Sequence, residues 1–143
     1  MEIFFTSAFY RTAAVSVVIF ILLDMLWLAL IARRFYFKHF SYLATIKDGK
    51  IVFNLSAGIA AQVVIAAGLV CAIVLALAAG GTATISVIVG AAAGFAMYAT
   101  YDLTNLSFVR GYPLLMSAVD IAWGTAQGAC AGVYVYHLMR LWS

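Results

Sequence analysis

Four long apolar runs make up most of this chain, and three of them contain an aspartate. The runs cover about residues 12–32, 51–79, 83–108 and 114–138, with Asp24 in the first, Asp102 in the third and Asp120 in the fourth. Each is longer than the ~18–20 apolar residues that a helix needs to cross a ~30 Å hydrocarbon core. A carboxylate inside such a run costs roughly 2.5–3.5 kcal/mol on insertion scales for a central position. A chain carries three of them only if something uses or relieves them.

Composition closes off the soluble alternative. Of the 143 residues, 67% are apolar and 9% charged, against about 45–50% and about 25% in soluble proteins. A domain of this size has too much surface for its volume to hide that excess. The expected fold class is all-α: a polytopic membrane protein, one transmembrane domain over residues 1–143, built as a four-helix transmembrane bundle in the lipid bilayer. The formal charge is +3, and five of the eight Lys and Arg residues lie between Arg33 and Lys50. Such a cluster suits a loop against an anionic leaflet and leaves no basic surface elsewhere for a nucleic acid.

In chain order, Phe4, Phe5, Phe9 and Tyr10 form an aromatic group suited to the membrane boundary, ahead of Arg11 and the first run. A cleaved signal peptide is the competing reading of that run. It fits poorly, because the run is long, Asp24 interrupts it, and the dense positive charge follows it. Residues 33–50 are too polar to span; they read as an interfacial helix in the first cytoplasmic loop or as an ordinary loop, with Asp48-Gly49 as a turn. Pro113 suits the first turn of the fourth helix, where its missing N–H is no loss. Arg140 and Trp142 are closing interface anchors. Cys71 and Cys130 sit in apolar runs as packing residues, and imply neither disulfide nor metal.

Lys and Arg counts orient the bundle. The loops after the first and third runs hold six of these residues, and the opposite side holds Arg11 and Arg140. The positive-inside rule therefore predicts both termini outside and the basic loop in the cytoplasm. At ~1.5 Å per residue, Asp24 lies roughly 13 Å from Arg33, Asp102 roughly 12 Å from Arg110 and Asp120 roughly 10 Å from Pro113. All three fall at a similar level in the inner half.

Spacing then assigns faces. Gly90, Gly94, Tyr98, Asp102 and Asn105 follow i+4 and i+3 steps, as do Asp120, Trp123 and Gln127, and Asp24, Trp27 and Ile31. The expected ligand-binding set is Asp24, Trp27, Tyr98, Tyr101, Asp102, Asn105, Asp120, Trp123 and Gln127. Gly124, Gly128 and Gly132 form a small-xxx-small stripe that would suit a homodimer. Asp24-x-x-Trp27 and Asp120-x-x-Trp123 also look like a repeat, either an inverted duplication or a coincidence in which each indole serves a nearby carboxylate. Three carboxylates held close together in low dielectric cannot all stay ionised alone. Protons are shared, Arg33 or Arg34 reaches in, a cation or polar ligand binds, or a hydrogen-bond network simply locks the bundle.

At these residues the chain resembles an uncharacterised bacterial membrane-protein family, domain of unknown function 2177 (DUF2177). The resemblance rests on Leu23-Asp24-x-x-Trp27-Leu28, on Tyr98-x-Thr100-Tyr101-Asp102-Leu103-Thr104-Asn105, and on Tyr112-Pro113 followed by Asp120-x-x-Trp123-Gly124-Thr125. It covers nearly the whole chain and is weakest in the second run. It implies a small four-helix protein of the bacterial cytoplasmic (inner) membrane and brings no activity, cofactor or metal with it.

Three functions compete. Binding or transport of a proton, a cation or a small polar ligand ranks first, because ionisable residues facing a bundle interior mark such pathways. An accessory subunit whose cluster specifies helix pairing ranks second. A membrane enzyme acting on a lipid ranks third: Tyr101-Asp102 matches half of the intramembrane aspartyl-protease pattern, but Ser117-Ala118-Val119 precedes Asp120 where Gly-x-Gly is required. His39 and His137 lie at opposite interfaces, too far apart for one metal site.

Overall fold

Polar caps start the long helices. In the computed structural model, which describes residues 2–143, a short 3₁₀ turn over Glu2–Phe5 leads into helix α1, Ser7–Leu26. Thr6 caps α1 by accepting from the Phe9 N–H at 3.1 Å. Asn54 caps α3, Leu55–Ala78, through the Ala57 N–H, and Thr82 caps α4, Ala83–Phe108, through the Ile85 N–H. Pro113 occupies the cap position of α5, Leu114–Trp142, one residue ahead of the first turn expected for it. Gly80 ends α3 in the left-handed region (φ 85°), and the Gly81 N–H returns to the Ala76 carbonyl.

Residues 33–51 form an ordered unit. A π-helical turn over Trp27–Ile31 extends α1, and the short helix α2 follows over Arg33–Phe40. Strands β1, Ile46–Lys47, and β2, Lys50–Ile51, then pair antiparallel around Asp48-Gly49. Both turn residues have positive φ, 51° and 68°, as a two-residue hairpin turn demands. The hairpin takes up Ile51, so the second long helix begins at Leu55 rather than at 51.

The protein is thus all-helical apart from this hairpin. Three of its long helices are long and apolar enough to cross a membrane: Ser7–Ile31, Leu55–Ala78 and Ala83–Phe108. Helix α5 has the length, with 29 residues, but is more polar on average, carrying Asp120, Gln127 and three glycines. It touches all three of the others, and its contact with α4 is the most extensive in the molecule. Helix α1 packs on α3 and α5, and α3 also meets α4.

Glycine sets the α4–α5 distance. A Cβ at Gly90 would collide with the Gly128 carbonyl, one at Gly94 with the Gly124 carbonyl, and one at Gly132 with the backbone of Ser86 and Val87. The two helices meet backbone to backbone, antiparallel, along both small-residue stripes. The stripe expected to suit a homodimer is buried inside one chain: Gly124 and Gly128 pack against Gly94 and Gly90 of α4, and Gly132 packs against the backbone of Ser86 and Val87. Away from this seam, Phe20, Leu69, Val70, Ile73, Val74, Ala131 and Val135 form the apolar core, in the half of the bundle away from the hairpin. Leucine, isoleucine and valine populate the outward faces, as a lipid-facing surface requires.

Candidate functional site

Asp24 reaches the centre of the bundle from the buried stripe of α1, which also carries Ala8, Thr12, Ser16 and Phe20 at four-residue steps. Both of its oxygens have partners: the Trp123 indole donates to Oδ1 at 3.0 Å, and the Gln62 amide donates to Oδ2. Asp120 lies on α5, one turn before Trp123, and accepts from the Tyr36 hydroxyl. Trp27 in turn donates to that hydroxyl at 3.4 Å. The two Asp-x-x-Trp segments therefore exchange partners across the α1–α5 contact, one directly and one through Tyr36. Between them the indole rings of Trp27 and Trp123 stack at 4.4 Å and 5°, a contact of about 0.5–1.5 kcal/mol beyond the area it buries.

Gln127 ties three helices together. Its amide donates to the Phe20 carbonyl of α1 at 3.1 Å, and its oxygen accepts from Tyr98 of α4, also at 3.1 Å. The Tyr98 ring covers Gly124, which leaves no room there for a side chain.

Asp102 makes a separate branch. It is fully buried and accepts from the Tyr112 hydroxyl at 3.1 Å through Oδ1, while Oδ2 has no partner. Burial, and then the negative charge of Asp102, push the Tyr112 pKa up, so its hydroxyl remains a donor throughout the physiological range. Among the described residues, no three His, Cys, Asp or Glu side chains come together to hold a metal ion. The three aspartates are thus spread over two hydrogen-bonded branches, and Arg33 and Arg34 do not reach in: among the described residues every hydrogen bond to these carboxylates comes from a neutral group.

A cavity of 320 Å³ opens onto this network from the hairpin side. Asp120, Tyr36, Tyr101, Tyr112, Asn54 and Thr45 supply its polar lining, and among the described residues no lysine, arginine or histidine borders it. Tyr101, 60% exposed, thus stands at the cavity and not within the bonded cluster. Asn105 departs from the expected set, because its amide turns back to the Tyr101 carbonyl of its own helix at 3.0 Å. Ile31 leaves its expected row as well: the wider π turn after Asp24 shifts the register and exposes it to 63%.

Three participants were not picked out by spacing. Gln62 carries a signal that depth arithmetic can find, since it lies eight residues into its helix from Asn54, roughly 12 Å, at the level of Asp24. Tyr112 stands beside the helix break and carries only its place in the Tyr-Pro motif. Tyr36 carries no signal at all, because only the fold of α2 against α5 brings it to Asp120.

A family model described as predicted membrane protein (DUF2177) matches residues 9–137. No curated protein and no solved structure matches the chain.

Proposed function

The chain belongs to the DUF2177 family of predicted membrane proteins, and we propose, from the site and not from the family, that its buried carboxylate network binds or transports a proton, a cation or a small polar ligand. One observation carries this reading. Among the described residues the aspartates are paired only with neutral donors, and the buried Asp102 keeps one carboxylate oxygen without a partner. A proton or a cation completes such a site, and an anion does not. The 320 Å³ cavity ending on Asp120 is the way in, with Tyr36, Tyr101 and Tyr112 as donors and aromatic walls.

In this reading α5 spans the membrane with the other three long helices, its polar residues turned to α1 and α4. Both termini lie outside, and the hairpin and α2 lie on the cytoplasmic side of a bacterial inner membrane. Proteoliposomes provide the test. Proton flux, or uptake of a small organic cation, is expected with the intact chain and lost in Asp24→Asn and Asp120→Asn. Flux unchanged in both variants overturns the proposal.

A second reading has its own support. The stacked tryptophans and the exchanged hydrogen bonds also fix α1 against α5, as an accessory subunit would need. Purification with a stoichiometric partner, together with function that survives neutralising the aspartates, would favour it.

A further inference from the structure

A second and larger cavity, 770 Å³, lies on the other side of Tyr36, between the end of α1, α2 and the hairpin. Its size falls within the ordinary range for ligand sites of about 300–1,000 Å³. The lining has two parts. Met25, Leu28, Ala29, Phe37, Ile51 and Phe53 make an apolar wall; Arg33, Arg34 and Lys50 bring three positive charges. No acidic residue lines it. This is the reverse of the aspartate-bearing cavity, although Tyr36, Leu28, Ile51 and Phe53 border both.

The hairpin supplies an independent observation. Its register sets Lys47 directly opposite Lys50, and like charges at paired positions destabilise a two-stranded ribbon that is marginal by itself. The ribbon nevertheless holds Lys50 at the cavity, using the positive-φ turn at Asp48-Gly49. An anion beside Lys50 offsets that repulsion.

The geometry points to a binding site for one membrane phospholipid with an anionic headgroup, its phosphate among Arg33, Arg34 and Lys50 and an acyl chain along Leu28, Phe37 and Phe53. Mixed composition argues for the whole lipid over a free phosphate, since a phosphate has no use for the apolar wall. The site is chemically independent of the carboxylate network, and its test uses no transport measurement.

The intact chain is placed in nanodiscs of equimolar phosphatidylglycerol and phosphatidylcholine, and the lipids that remain bound are read by native mass spectrometry. Retention of phosphatidylglycerol over phosphatidylcholine is expected, falling about fivefold per neutralised cation in Arg33→Gln, Arg34→Gln and Lys50→Gln. A control with Arg11, Lys38 and Arg110 changed to Gln should keep the preference. Ala29→Trp, which fills the apolar wall and leaves every charge in place, should release the lipid, so the proposal stays testable if the charge variants fail to fold. Soluble glycerol phosphate should not compete. Equal retention of both lipids, equal loss in the control, lipid kept by Ala29→Trp, or competition by glycerol phosphate would each overturn it.

Discussion

Trp123 shows how one side chain can hold a buried carboxylate and a helix contact together. Its indole N–H serves Asp24 while its ring lies on Trp27. Trp123→Phe keeps a stacking ring and removes the donor. We expect it to lower stability by about 0.6–1.7 kcal/mol, the range for single hydrogen bonds between membrane helices, as measured by thermal unfolding in detergent. Gln62→Leu tests the second donor to Asp24 and should cost a similar amount by the same measurement. Asp102→Asn differs, because Tyr112 can still donate to the amide oxygen. It is expected to leave the unfolding temperature nearly unchanged while abolishing proton or cation uptake. Asp24, Asp102 and Asp120 were legible in the chain as costly residues in apolar runs. Their partners were only partly so, since Tyr36 lies 84 residues from Asp120 and no periodicity joins them.

The α4–α5 pair carries the tightest constraint at the scale of elements. Gly94→Leu or Gly128→Leu would push side-chain atoms into the facing backbone. Each is expected to cost at least about 1–3 kcal/mol and to abolish a cooperative unfolding transition. Gly58 meets nothing within 4 Å, so Gly58→Ala should raise stability by about 0.5–1 kcal/mol through its helix preference. A loss from Gly58→Ala as large as that from Gly128→Leu would count against the packing described here. The glycine stripes were visible in the sequence at four-residue spacing. Their partner was not, because a small-residue stripe fits a second copy and a neighbouring helix of the same chain equally well.

For the molecule as a whole, the polar half of the bundle adjoins the basic hairpin and the apolar core fills the far half. That polarity, with the uneven spread of Lys and Arg, predicts the orientation. A phosphatase fused after Ser143 should be active and a cytoplasm-dependent fluorescent reporter at the same place dark; the opposite pattern would invert the proposed topology. It would also move the cation-lined cavity to the outer surface, away from the anionic lipid charge of the cytoplasmic leaflet.

Apolar length, the scarcity of charge within the runs and the cost of a carboxylate in hydrocarbon are local properties, so the residues in order were enough to determine a helical membrane protein, its long helices to within a few positions, and the presence of three costly aspartates in its apolar runs. Which groups meet depends on contacts between segments far apart in the chain. Only the tertiary structure decided that Gly124 and Gly128 face Gly94 and Gly90 while Gly132 faces Ser86 and Val87, that the three aspartates occupy two branches, and that Tyr36 separates an acidic cavity from a basic one. The physical reason is that hydrophobicity selects an environment without naming a neighbour, whereas a hydrogen bond or a backbone contact needs one particular partner in one geometry.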